Sequence, residues 1–407
     1  MAVVYSPCEV SDLNLHIPEG FLFSSCIAGI KASGRPDLAL ALAPQGASAA
    51  AVFTRNQVVA APVIIGRENL RNSKGKIHAL LVNAGNANCA TGALGLKGAR
   101  IICKSVASVI HSKAAQVFPS STGIIGVPLP LDKMINALPD LIATARPGND
   151  ALHSFANAIL TTDTRSKLAS SELIHKGSKV SLAGVAKGAG MIHPNIATML
   201  VYLFTDIVAT PRELQQMLNH AVNQSFNNIS IDGDTSTNDT VLLLASGKSG
   251  VQLKSLRKEF ESALLDVCQS LARQIVADGE GVKHVIRLKI EQARNTAEAR
   301  QIASTIATSA LVKTAWAGAD PNWGRIVAAI GRSGIKVNTE KISIQLGGQR
   351  IFHKGAACKF DHDHAHQYMS QPEYEIKIAL GLGKSNLEFL SCDLTAEYVR
   401  INADYST

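Results

Sequence analysis

The chain has 407 residues, is 46% hydrophobic and carries a formal net charge of +8 at neutral pH. That length and composition allow a large buried core and describe an ordinary globular protein of two or more lobes. Thr205 and Asp206 interrupt the apolar run that follows Met199, so no stretch reaches the roughly 18 to 20 residues that span a bilayer.

The Lys and Arg residues are dispersed and never form a basic run with interleaved aromatics, which excludes a nucleic-acid-binding surface of the usual kind. A basic balance suits small anionic metabolites instead, carboxylate-bearing amino acids among them. The N-terminal MAVVYSPCEVSD has no basic segment leading into an apolar one, so no secretory signal is expected. Cys8, Cys26, Cys89, Cys103, Cys268, Cys358 and Cys392 are scattered, odd in number and nowhere spaced as CxxC. This pattern predicts free thiols in a reducing compartment, and the expected location is the cytoplasm.

In chain order, short strands are expected within Gly20 to Lys31, at Leu38 to Leu42, Ala49 to Phe53, Val58 to Ile65 and Ile77 to Val82. The Asn- and Gly-rich NAGNANCATG, Asn83 to Gly92, reads as a turn. Ile102, Val106, Val109 and Ile110 recur at helical spacing and predict a helix over about Ala99 to Gln116. SSTGIIG follows at Ser120 to Gly126. Small hydroxyl residues beside glycine make a tight turn, or they can aim the Thr122 hydroxyl and a backbone N–H at Gly123 toward one point, as an oxyanion hole does. TTDTRSK, Thr161 to Lys167, is a turn or cap signal by composition.

Val180 to Ala186 reads as a strand leading into KGAGMIHPNIATMLVYLF, Lys187 to Phe204. Gly188 and Gly190 permit positive φ or close approach, Pro194 fixes one φ, and Met199 to Phe204 has the length of a buried strand. Thr198 sits at the seam between loop and strand. It reads either as a β-branched residue opening that strand or as a nucleophile that attacks the Ala197 carbonyl and then works from a new N-terminus, with its freed amine as base. Lys187 reads as a solvated lysine, as a partner for a substrate carboxylate, or as a charge that lowers the pKa of such an amine below its reference of about 8. His193 is assigned no role.

TPRE at Thr210 to Glu213 is a capping box with proline at the first helical position, and Leu214, Leu218, Val222 and Phe226 form the apolar stripe behind it. NISIDGDTSTNDT carries Asp232, Asp234 and Asp239 but lacks the ligand pattern and closing glutamate of a calcium loop. Val241 to Ala245 is an apolar strand. Phe260, Leu264, Val267, Leu271 and Ile275 share one face of a long helix that ends at DGEG, Asp278 to Gly281. Ile286, Leu288 and Ile290 alternate as a half-buried strand, and Asn295 or Thr296 caps the next helix.

Trp316 and Trp323 in KTAWAGADPNWGRI read as core anchors. Ile342, Ile344 and Leu346 form a strand, as does Glu375 to Leu382. His362, His364 and His366 read better as an exposed, N-capped helix than as a zinc site. In CDLTAEYVRINADYST, Tyr398, Arg400 and Asn402 alternate with Val399 and Ile401, which predicts a strand. Pro, Gly and Ser never cluster into a flexible linker, and no internal repeat is evident. Alternating strands and helices indicate an α/β architecture.

KGAGMIHPNIATML resembles the self-cleavage segment of the ornithine acetyltransferases, the bifunctional glutamate N-acetyltransferases of arginine biosynthesis. KTAWAGADPNWGRI and the C-terminal CDLTAEYVRINADYST are similar to the same family, and the resemblance runs over essentially the full chain. It implies a self-processing fold in which sheets are sandwiched with helices, and cleavage before Thr198 into Met1 to Ala197 and Thr198 to Thr407. These two chains would stay together and pair into a heterotetramer.

The resemblance further implies that Thr198 is the nucleophile, with Thr122 and Gly123 as oxyanion donors and Thr161, Lys187, Thr198, Glu280, Asn402 and Thr407 as substrate contacts. Glu280 would meet the side-chain ammonium of ornithine. The implied reaction moves an acetyl group from N2-acetylornithine to glutamate, with acetyl-CoA as a further donor in some members, and calls for no metal or other cofactor. With water as acceptor the same acyl-threonine would make a self-processing aminopeptidase or amidase. An intact, non-catalytic basic binding protein is the reading outside enzymes; steeply salt-dependent nucleic-acid binding would mark it.

Overall fold

A computed structural model describes residues 15–193 and 199–404. The first half of the chain contributes β1 (Leu22–Cys26), β2 (Leu38–Phe53), α1 (Ala61–Asn72), β3 (Lys76–Asn86), α2 (Gly92–Val109), β4 (Val117–Ile124), α3 (Leu131–Ala143), α4 (Asn149–Ala158), β5 (Lys167–His175) and β6 (Ser178–Lys187). The second half begins with β7 (Leu200–Thr205), α5 (Pro211–Asn223), β8 (Ile229–Ser230), β9 (Thr240–Ala245), α6 (Arg257–Ala277), β10 (Val285–Ala293), α7 (Thr296–Ala307), α8 (Ala310–Ala317) and α9 (Trp323–Gly331). It ends with β11 (Ser343–Leu346), β12 (Gln349–His353), β13 (Ala356–Ala357), α10 (His362–Met369), β14 (Glu373–Ala379), β15 (Ser385–Cys392) and α11 (Ala396–Asp404).

The first sheet runs β4-β3-β2-β9-β7-β6-β5, with β1 also on β2, and the long strand β2 organises it. Its first part pairs with β1 and β3, and its second part, from Ser48, pairs with β9. Between them the register shifts around Pro44, Gln45 and Gly46, and Gly46 takes φ +77°. The two parts lie in facing layers rather than one plane, because the Tyr202 hydroxyl of β7 donates to Ser120 Oγ of β4 at 2.7 Å although the two strands are four places apart in the sheet order. Ala39, Ala41, Leu80, Val82 and Phe118 from one layer share a core with Val185, Leu200, Tyr202, Phe204, Leu242 and Leu244 from the other.

The opposite faces of both layers carry helices. Leu38, Leu40, Ala79 and Leu81 pack on Ile65 of α1, Ile102 and Val106 of α2, and Leu138 of α3. Leu182, Val201, Leu203, Val241 and Leu243 pack on Leu214 and Leu218 of α5 and on Leu264, Leu271 and Ile275 of α6. The result is a helix–sheet–sheet–helix sandwich, the α/β arrangement that the sequence implied. The second sheet, β13-β12-β11-β14-β10-β15-β8, is covered by α7 to α10. It joins the first unit where Val285, Leu390 and Cys392 enter the core of α6.

Several local expectations hold for local reasons. Thr210 Oγ1 accepts from the Glu213 N–H while the Glu213 carboxylate accepts from the Thr210 N–H, so the capping box of α5 is complete. Asp361 caps α10 through the His364 N–H. Trp316 is buried, and Trp323 stacks on Phe352 at 5.2 Å. The six cysteines within the described residues are free thiols, and Cys8 lies outside them. No helix among the described residues is long and apolar enough to cross a membrane.

Four expectations are corrected. Val58 to Ile65 is not a strand: Pro62 opens helix α1, whose buried positions Ala61, Ile65, Gly66 and Asn69 follow a helical spacing that continues past Ile65. Leu38 to Leu42 and Ala49 to Phe53 are two parts of one strand. The helix expected over Ala99 to Gln116 starts earlier, at Gly92, and ends at Val109; Gly95 is needed there because a Cβ would lie 2.0 Å from Thr91 Oγ1. The segment Tyr398 to Asn402 is part of helix α11. Asn402 Nδ2 bonds the Tyr398 carbonyl one turn back, and Val399 is 60% exposed.

Candidate functional site

Three of the nominated residues come from different elements and meet at one end of the sandwich. Lys187, the last residue of β6, is 4% exposed, and its ammonium donates to Thr161 Oγ1 at 2.7 Å and to Thr122 Oγ1 at 3.1 Å. Thr122 lies near the end of β4, at the far edge of the first sheet in strand order. The folding of β2 brings it to β6. Asn238, just before β9, ties the layers together here by donating to the Ala87 and Ser121 carbonyls at 2.7 and 2.9 Å.

Both hydroxyls accept from Lys187, so each retains its own proton for donation to a ligand. A cation bound at the hydroxyl oxygen also strengthens that donation. Beside Thr122, Gly123 adopts φ +130°, and a Cβ there would fall 2.3 Å from the Gly85 carbonyl carbon. Only glycine fits this irregular pairing of β3 with β4, where the register shifts between Gly85 and Asn86.

Beneath Lys187 is a chain of buried charges. Asp163 accepts from Lys167 Nζ at 2.7 Å, the Gly188 N–H at 2.6 Å and the Thr161 N–H at 3.1 Å, and its second oxygen is 3.9 Å from Lys187 Nζ. Lys167 Nζ also reaches Asp278 at 2.6 Å, and Asp278 accepts from the backbone N–H and the hydroxyl of Thr164. Burial pushes the Asp163 carboxyl upward, but Lys187 and Lys167 overcome it and hold the group well below the usual carboxylate range. Burial lowers the Lys187 ammonium, with Asp163 opposing.

Lys187 lies opposite Leu200 in the β6–β7 pairing. The Met199 N–H donates to Asp239 Oδ1 at 2.9 Å, and burial raises the Asp239 carboxyl well above its ordinary value. Across from this cluster, the Glu280 carboxylate lies over Gly190, where an added Cβ would meet Oε2 at 2.7 Å. Asn402 Nδ2 donates to that carboxylate at 2.8 Å, and the Glu280 N–H bonds the Ala189 carbonyl. Asp232 grips the same loop through the Met191 and Ile192 N–H groups, and Tyr398 donates to it at 3.3 Å.

The structure thus joins Thr122, Gly123, Thr161 and Lys187 in one cluster, and Glu280 and Asn402 in a bonded pair over the loop that follows Lys187. Ala197, Thr198 and Thr407 lie outside the described residues. Asp163, Lys167, Asp278 and Asn238 have no role assigned from sequence, and Asp239 is weighed there only as part of a calcium loop. The density of Asp, Thr and Asn in TTDTRSK and in DGDTSTNDT was the available signal. No group of three or more His, Cys, Asp and Glu residues among the described residues is arranged to hold a metal ion.

The fold and the cluster define a two-layer α/β protein with a buried, lysine-centred hydroxyl site between its layers. The chain belongs to the ArgJ family, whose model matches residues 22–407. An arginine biosynthesis bifunctional protein ArgJ from Nitratidesulfovibrio vulgaris is 44% identical over 95% of this chain and 98% of its own. The protein of that name from Dehalococcoides mccartyi is 42% identical over 97% and 98%. A crystal structure of arginine biosynthesis bifunctional protein argJ from Bacillus halodurans aligns at 39% identity with 50% of this chain and 98% of that one, with a TM-score of 0.48.

Proposed function

We propose that this chain is a self-cleaved glutamate N-acetyltransferase of arginine biosynthesis that moves the acetyl group of N2-acetylornithine to glutamate through acetyl-Thr198. The observation that carries the reading is the Lys187 ammonium bound to both the Thr122 and Thr161 hydroxyls, opposite Leu200. Thr198 lies outside the described residues, two peptide links before Leu200 in the chain. The family and its bifunctional relatives in arginine biosynthesis supply the substrate class.

In this reading the Thr198 hydroxyl adds to the Ala197 carbonyl, the peptide C–N bond breaks in favour of an ester, and water releases the chain Met1 to Ala197. The freed amine then serves as base. The Thr198 oxygen attacks the acetyl carbonyl of N2-acetylornithine, Thr122 and the N–H at Gly123 hold the oxyanion, and ornithine leaves with the proton. The glutamate amine reverses these steps and departs as N-acetylglutamate. Thr161, Lys187, Glu280, Asn402 and Thr407 contact the substrates. The proposal includes acetyl-CoA as a second donor, a cytoplasmic location and an assembly of two chains of each kind.

Incubation with N2-acetylornithine alone, followed by a quench and mass spectrometry, is expected to find the fragment that begins at Thr198 heavier by one acetyl group. An unchanged mass under burst conditions overturns the reading. Glutamate should discharge the label as N-acetylglutamate, whereas discharge only to acetate would mark an amidase. Substituting acetyl-CoA in the same assay tests the second donor. Glu280→Ala is expected to raise KM for N2-acetylornithine more than it lowers kcat and to leave cleavage intact, since the ammonium it meets is absent from the precursor. An uncleaved variant would assign Glu280 to folding or processing instead.

A further inference from the structure

We propose that Asp163 is the positioning residue of this site: its one carboxylate sets the Lys187 ammonium, the Thr161 backbone and the Gly188 N–H relative to one another, and the buried Lys167–Asp278 pair locks that carboxylate in place. The inference rests on the reading that Lys187 and its two hydroxyls serve acyl transfer. It adds the device that keeps them aligned.

Geometry carries the argument. Both Asp163 oxygens are used from four directions, by Lys167, Gly188, the Thr161 N–H and Lys187. Two of those contacts are to the backbone on either side of the functional groups. The Thr161 amide belongs to the residue whose hydroxyl Lys187 binds, and Gly188 is the residue after Lys187. Any rotation of the carboxylate therefore moves both partners of the 2.7 Å Lys187–Thr161 bond together.

Lys167 has no exposed side-chain surface, so its ammonium must be neutralised internally, and it bridges Asp163 at 2.7 Å and Asp278 at 2.6 Å. Asp278 is held in turn by Thr164 and lies 3.7 Å from Arg165 Nε. The chain Lys187–Asp163–Lys167–Asp278–Arg165 alternates in sign from the site to the exposed Arg165. The charged groups near enough to act on Lys187 are Asp163, Lys167, Asp239 and Glu280, and Lys31 also interacts with it. Asp163 is the carboxylate among them that forms an ion pair with it. The Asp163 carboxylate opposes the effect of burial on the Lys187 ammonium, which donates to Thr122 and Thr161.

The test compares how kcat/KM for acetyl transfer to glutamate depends on pH in the unaltered enzyme and in two variants with expected shifts of opposite sign. Asp163→Asn removes the nearby negative charge, so Lys187 should lose its proton earlier and the alkaline limb should move down by about one pH unit or more. Lys167→Met removes a competing cation and leaves Lys187 as the one ammonium beside Asp163, so the limb should move up. Asp278 keeps Thr164 and Arg165 in that variant.

A purely structural role would lower activity without moving the limb, or move it the same way in both variants, and either result overturns the proposal. Should Asp163→Asn fail to fold, Lys167→Met decides by itself, since an unmoved or lowered limb overturns it. Lysine labelled with 13C at the ε carbon provides a readout that needs no turnover: the Lys187 signal, assigned by its loss in Lys187→Arg, should titrate in the same two directions. If the unaltered enzyme transfers no acetyl group, the functional reading fails, while this titration still decides whether Asp163 governs Lys187.

Discussion

Thr198→Ala is expected to yield a single intact chain on a denaturing gel and no detectable acetyl transfer, whereas the unaltered protein is expected to run as two fragments. Residue 198 lies near the middle of the 407, so the two fragments should be of similar size. The substitution removes the only atom that could attack the Ala197 carbonyl in the proposed route, and it removes the later acyl carrier with it. Thr198→Ser keeps an oxygen at the same place and should cleave slowly, with residual turnover. N-terminal sequencing is the decisive measurement. A fragment beginning Thr-Met-Leu-Val supports the account, and an active uncut chain, or turnover by Thr198→Ala, sinks it.

Thr122→Ala should leave a folded, soluble protein whose kcat falls about 10²- to 10³-fold, the loss typical of one oxyanion donor. The Thr122 hydroxyl accepts from Lys187 and has its own proton to give, so its removal takes away a donor aimed by a buried cation. The fold should survive because the Ser121 carbonyl, held by Asn238, and the Ser121 hydroxyl, bonded to Asn83, anchor β4 independently of Thr122. Processing should slow as well if the same hydroxyl stabilises the tetrahedral state at Ala197. Measurement of kcat and of precursor half-life in one preparation checks both, and an undiminished kcat would remove Thr122 from the chemistry.

The corrected elements show where local pattern stops being informative. Five residues of alternating polarity, Tyr398 to Asn402, suit a strand, yet the same residues lie on an exposed helix whose exterior tolerates Val399. A window that short does not separate the two periods. The glycines at positions 92, 95 and 98 hid the first turns of α2, because a glycine such as Gly95, required by close contact with Thr91 and Asn88, looks the same in sequence as one that breaks a helix.

The sequence by itself determined what depends on near neighbours. The capping boxes and caps, the apolar stripes of α5 and α6, and the buried strands β7 and β9 follow from spacing within a few residues. Resemblance to a known segment nominated Thr122, Gly123, Thr161, Lys187, Glu280 and Asn402, but with no indication of how they meet. Tertiary structure alone decided that. Thr122 and Lys187 are 65 positions apart and approach to 3.1 Å only because β2 doubles one layer of sheet over the other. Lys167, in a turn-rich stretch, has the composition of a surface lysine and is instead wholly buried between two aspartates, one of them 111 positions away. The cost of burying a charge depends on which groups surround it, and those groups are set by packing of distant segments rather than by the order of residues around the lysine.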